Sequence, residues 1–98
     1  GLIGFKSADN SKHSIEIGYW LREEQQGKGL MTAAVRALCD LAFKEMGMQR
    51  VEIRCGVGNL PSNHIPQRLG FLRSYVEMQG EQLSDGTWID LNVYVLER

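Results

Sequence analysis

A chain of 98 residues, 43% apolar and 23% charged, has the make-up of one globular domain with a single core and falls outside the disordered and membrane-embedded classes. Its formal charge of −1, from eleven basic and twelve acidic residues scattered along the chain, encodes no sustained attraction to nucleic acid or anionic lipid. The longest apolar-biased stretch, 30–43, is interrupted by Thr32, Arg36 and Asp40 and so cannot span a bilayer, and no secretory leader is expected before it.

In chain order, Gly1 to Lys6 reads as a short strand and Ser7 to Lys12 as a polar turn. His13 to Leu21 then alternates, with Ile15, Ile17 and Tyr19 on one face and Ser14, Glu16, Gly18 and Trp20 on the other, completing a hairpin. Glu23 to Gly29 is a polar loop with two glycines. Leu30 to Met46 follows as an amphipathic helix, with Leu30, Ala34, Leu38, Leu41, Ala42 and Met46 at helical spacing and Gly47 just beyond its end. Val51, Ile53, Cys55 and Val57 alternate with Glu52 and Arg54 as a strand.

Gly58 to Pro61 turns into a short helix that sets Ile65 and Leu69 on one face, and Pro66, which has no N–H to donate, limits it to a turn or two. Gly70 ends that helix. Phe71 to Gln79 reads as a strand, Gln82 to Gly86 as a loop and Trp88 to Leu96 as the last strand. The predicted order is β-β-α-β-α-β-β, an α/β fold in one domain over residues 1–98, without internal repeats.

Cys39 and Cys55 form no CxxC and have no histidine at metal-ligand spacing. Two reduced thiols serving as small core residues of a cytoplasmic protein are the simplest expectation, and no metal is expected.

The loop before the long helix carries the chemistry. Gly27 and Gly29 flank Lys28, and two glycines so placed let the backbone approach a ligand and aim free amides at it. The first turn of a helix carries roughly half a positive charge, so a phosphate or pyrophosphate is its natural occupant. Glycines also mark ordinary turns, and the loop alone leaves both readings open. It is neither a Walker motif, since no Lys-Ser or Lys-Thr follows the second glycine, nor a dinucleotide fingerprint, since Thr32 stands where a third glycine would be needed.

Gln26-Gly27-Lys28-Gly29-Leu30-Met31 resembles the Q/R-x-x-G-x-G/A motif of the GNAT acetyltransferases at its first two fixed positions. Met31 departs from the small third position, as is common in the branch that acetylates the N-termini of ribosomal proteins. Ile17-Gly18-Tyr19-Trp20-Leu21 resembles that branch's strand before the loop, and the stretch from Gly58-Asn59 to Gly70-Phe71 resembles its GNxxSxxxPxRxGF segment. The resemblance covers nearly the whole chain. It begins at the family's third strand, with Gly1 in place of an initiating Met, so an N-terminally truncated GNAT domain with a mixed, mostly antiparallel sheet is expected.

The resemblance implies acetyl-CoA as cosubstrate and a primary amine as acceptor. In the family, the strand before the loop and the strand after the long helix splay apart, and the pantetheine arm lies between them. Carried over, backbone groups near Trp20 and Leu21 would grip the arm and meet the thioester oxyanion, and amides from Gln26 through Gly27, Lys28 and Gly29 to Leu30 would hold the pyrophosphate. Asn59 matches the asparagine that bonds the arm, although a turn or cap residue would also be asparagine. Ser62 matches the branch serine that meets the departing thiolate, or is a first-turn serine satisfying a backbone amide.

Glu81, just before the 82–86 loop, matches a proposed catalytic glutamate of the branch, or is an exposed loop residue. Glu16 is the second candidate base, since other branches carry theirs on this strand, or is a solubilising strand residue. The expected acceptor is a protein N-terminus. A small amine such as a polyamine or antibiotic, and a non-catalytic acyl-CoA-binding module, are the alternatives. Open sheet edges would allow a homo-oligomer.

Overall fold

Strands with one apolar side need a cover, and two helices supply it. The computed structural model describes residues 2–20 and 29–98. These form β1 (Leu2–Asp9), β2 (Ser14–Trp20), α1 (Leu30–Lys44), β3 (Arg50–Gly56), α2 (Leu60–Arg68), β4 (Leu72–Gln82) and β5 (Trp88–Glu97). The strands make one five-stranded sheet in the order β1-β2-β3-β5-β4. Only β2 and β3 run parallel, so the sheet is mixed and mostly antiparallel, as expected.

α1 presents Val35, Cys39 and Ala42 to Ile15 and Ile17 of β2 and to Val51 and Ile53 of β3, with Met31, Leu38 and Phe43 packed alongside. Each large aliphatic side chain buried there contributes ~1.5–3 kcal/mol. The sequence-based face was rotated from this one: Leu30, Leu41 and Met46 are exposed. The helix is apolar on overlapping stripes, and contact with β2 and β3 selects between them. Gly47, at φ 67°, lets the chain turn so that the Met48 N–H bonds the Ala42 carbonyl at 3.0 Å.

Two strands outrun their sequence limits. β1 runs on to Asp9, into the stretch read as a polar turn. β4 reaches Gln82 by absorbing irregularities in its pairing with β5 between Arg73 and Tyr75 and between Glu77 and Glu81. Gln79 sits there at φ 50°, its N–H bonded to the Asp90 carboxylate at 2.9 Å. α2 runs through Pro66 to Arg68 and stops before Gly70, as expected. The Ser62 carbonyl, which residue 66 would have bonded, accepts the Tyr19 hydroxyl at 2.6 Å instead, with the Cys55 thiol 3.4 Å away.

Candidate active site

The pairing of β2 with β3 runs from Ser14↔Arg50 to Ile17↔Ile53 and ends there. β2 continues through Trp20, paired only with β1, and β3 continues through Gly56, paired with β5. Two parallel strands thus part company inside the sheet, opening a cleft whose walls are backbone. Trp20, at the end of β2, lies on this unpaired stretch. An extended chain inserted there could take up strand-like hydrogen bonds from both walls.

The helix side of the cleft is neutral. Asn59 caps α2, its Oδ1 accepting the Ser62 N–H at 3.4 Å, which is the cap role its type allowed. Ser62 is buried in the first turn, beneath the unpaired ends of the strands. Burial pushes the Tyr19 phenol far above its ordinary pKa, and the neighbouring Cys55 sulfur adds to the shift. Burial likewise raises the Cys55 thiol to about 11, against a small opposing effect of the Tyr19 hydrogen bond.

Beside Ser62, Asn63 donates to the Gly56 and Asn59 carbonyls at 2.9 and 2.7 Å. Its Oδ1 accepts from Asn92 at 3.0 Å and from the Tyr94 hydroxyl at 2.8 Å. The turn at the mouth of β3 is therefore clamped by a buried side-chain network.

The opposite side is charged. Arg54, on β3, meets Glu16 of β2 at 3.0 Å, Glu77 of β4 at 3.2 Å and Glu52 at 3.5 Å. Burial works against its charge, yet Glu16, Glu77, Tyr75 and Glu52 together hold its pKa above the usual value. Lys6 lies 3.6 Å from the second oxygen of Glu16. An open cavity of about 650 Å³ spans this face, and both Glu16 and Glu81 line it. Glu81 is exposed on β4 opposite Ile89 and makes no ion pair among the described residues.

The structure thus brings the two candidate bases into one cavity but places Ser62 and Asn59 across the sheet from them. It also separates the bases by their partners: among the described residues both Glu16 oxygens are engaged and Glu81 is unpaired. Leu21, Gln26, Gly27 and Lys28 lie outside the described residues. Gly29 stands at φ 75° as the N-cap of α1, without a side-chain cap, and no acidic residue occupies the helix's first turn. The leading amides of α1 are in this way left to an anion.

Tyr19, Arg54, Asn63 and Asn92 were missed as site-forming residues. Tyr19 carried one signal, its place on the apolar face of the strand before the glycine loop. The others look like ordinary polar positions in sequence. Among the described residues no His, Cys, Asp and Glu converge as a metal site, and no helix is long and apolar enough to cross a membrane.

A family model for the Acetyltransferase (GNAT) domain matches residues 1–72. The chain is 35% identical over 94 residues to the ribosomal-protein-serine acetyltransferase of Escherichia coli (strain K12), covering 96% of this chain and 52% of that protein. It is 44% identical over 72 residues to YdaF of Bacillus subtilis (strain 168), covering 74% of this chain and 39% of that protein. Among solved structures, RimL, a ribosomal α-N-protein acetyltransferase in complex with coenzyme A, superposes with a TM-score of 0.87 at 30% identity, over 97% of this chain and 53% of that one. The chain spans about half the length, or less, of the curated relatives it matches.

Proposed function

Since the chain belongs to the GNAT acetyltransferase family, we propose that it forms the acetyl-CoA-binding part of an N-acetyltransferase whose acceptor is a primary amine, foremost the N-terminal α-amine of a ribosomal protein. The observation that carries this reading is the parting of β2 and β3 after Ile17↔Ile53. Continuous pairing would leave no place for the pantetheine arm.

The residues present fit the coenzyme at two points. The cleft offers unpaired backbone on β2, and the uncapped start of α1, opened by Gly29, offers amides to a diphosphate. When bound, acetyl-CoA supplies an activated acetyl group as its thioester. Backbone at Trp20 and Leu21 would hold the arm, amides from Gln26 to Leu30 the pyrophosphate, and the Asn59 carboxamide, already a helix cap, would share its oxygen or use its free N–H₂.

An α-amine has an ordinary pKa near ~7.8, so most of it is protonated at neutral pH and must lose a proton before attack. The neutral amine then forms a C–N bond to the thioester carbonyl carbon as the C–S bond breaks. The departing sulfur gains a proton, and the amine gives one up. Glu81, without an ion pair among the described residues and on the open face, is assigned as the base, directly or through water, and Ser62 as a hydrogen-bond donor to the departing sulfur. Glu16 is the second choice, because Arg54 and Lys6 already occupy its carboxylate.

The reading is tested by following free coenzyme A with a thiol reagent. Acetylation of a short peptide beginning with Ser or Ala, with none of spermidine, is the expected result. The reverse preference would point to a small-amine enzyme, and binding of acetyl-CoA without thiol release for any amine would leave only a binding module. The two free, buried cysteines fit a reducing cytoplasm. The outer edge of β4 leaves room for a second copy, to be read by sedimentation.

A further inference from the structure

Pro66 removes a hydrogen bond from α2, and the direction in which the freed acceptor points is informative. In an unbroken helix the Ser62 carbonyl would be taken by the N–H of residue 66, which proline lacks, and the proline ring also crowds that carbonyl away from the helix axis. Ser62 is buried, so water is a poor substitute. The acceptor is filled from the sheet: the Tyr19 hydroxyl donates to it at 2.6 Å, and the Cys55 thiol lies 3.4 Å away. Tyr19 and Cys55 themselves approach to 3.5 Å.

These groups come from β2, β3 and α2, and Tyr19 stands on the part of β2 that has already left β3. A tyrosine has a rigid ring and two side-chain torsions, so anchoring its hydroxyl restrains its own backbone. The phenol is protonated at neutral pH and so a donor, and burial extends that state to higher pH.

We propose that Tyr19 is a positioning residue for the coenzyme: latched to the Ser62 carbonyl that Pro66 leaves free, it holds the end of β2 at the spacing from β3 that an extended acyl-pantetheine arm requires. The proposal rests on the acyl-CoA reading above. Tyr19 touches no reacting atom in this role. It acts through the backbone of β2, so its loss weakens the hold on the coenzyme without slowing transfer once the coenzyme is bound.

The test is a double-mutant cycle in the intact protein, with acetyl-CoA binding by calorimetry and steady-state kinetics. Tyr19→Phe keeps the ring and is expected to raise Kd and KM for acetyl-CoA about tenfold, with kcat within about twofold. Pro66→Ala, which returns the carbonyl to the helix, should raise Kd about threefold by itself and reduce the added effect of Tyr19→Phe to less than about threefold. If Tyr19→Phe fails to fold, the Pro66→Ala shift alone decides. Wild-type affinity in both single variants, a fall in kcat at unchanged KM, or equal cost of Tyr19→Phe in both backgrounds would overturn the proposal while leaving the functional reading intact. Absence of binding by the unsubstituted protein would sink that reading, and the latch's role with it.

Discussion

The two faces of the sheet around the cleft are built from different materials. Under α2, Tyr19, Asn63, Asn92 and Tyr94 are neutral and largely buried, each bonded to a carbonyl or to another member of the set. Across the sheet, Glu16, Glu52, Arg54 and Glu77 are charged, half-buried and ion-paired around an open cavity. Neutral groups can be buried once each has a partner, whereas charges keep their free energy low by staying near water. The difference teaches a division of labour: the helix side holds the geometry of the cleft, and under the function proposed above the open side receives the amine and its proton.

The strongest way to break this division is at Asn63. Asn63→Leu would take the shared acceptor from the Asn92 amide and the Tyr94 hydroxyl and leave the Gly56 and Asn59 carbonyls with one backbone donor each. A loss of ~3 kcal/mol in unfolding free energy is expected, read from urea denaturation. A loss under ~1 kcal/mol would mean that the network is decoration.

The open face is sharpened by comparing its two glutamates. Glu81→Gln is expected to lower kcat about 100-fold with the fold intact. Glu16→Gln, whose carboxylate is already held by Arg54 and Lys6, should lower it less than about threefold. The opposite order would move the base to Glu16.

Alkaline pH attacks the helix side through its two buried thiols. Burial raises the thiols of Cys39 and Cys55 to about 11 from an ordinary 9.0. Between pH 9 and 11 the unfolded chain ionises its thiols while the folded protein does not. Stability is therefore intact below pH 9 and falls as pH rises toward 11, by on the order of 2 kcal/mol per thiol. Melting temperature against pH measures it, and a flat curve through that window would refute the burial of both thiols.

The smallest expected effect lies at the anion end of the cleft. Gly29 occupies φ 75°, where a β-branched residue is strained. Gly29→Val should weaken coenzyme A binding about tenfold, ~1.4 kcal/mol, by displacing the first amides of α1. Unchanged affinity would remove those amides from the site.

Much of this was legible before any coordinates. Strict alternation at Val51, Ile53 and Cys55 gave β3 its buried face, because a period of two reports a sheet directly, although Val57, read as the next member, lies beyond Gly56 and is exposed. The glycine loop and the Asn59 to Gly70 stretch pointed to the family through local backbone needs. The face of α1 was not legible: with apolar residues on overlapping stripes, helical periodicity cannot tell Leu41 from Cys39, and only the sheet beneath chose Cys39. The effect of Pro66 was only half legible: a rule about local hydrogen bonds shows the bond it removes, but not that a partner from β2 replaces it.

By itself the amino-acid order determined the elements and their sequence, since these depend on neighbours within a turn or a strand. Tertiary structure alone decided where β2 leaves β3, that Glu16 meets Arg54 and Lys6, and that Tyr19 meets Ser62 across 43 positions of chain. Those outcomes rest on contacts between distant segments, whose free energy exists only once the sheet and helices have packed.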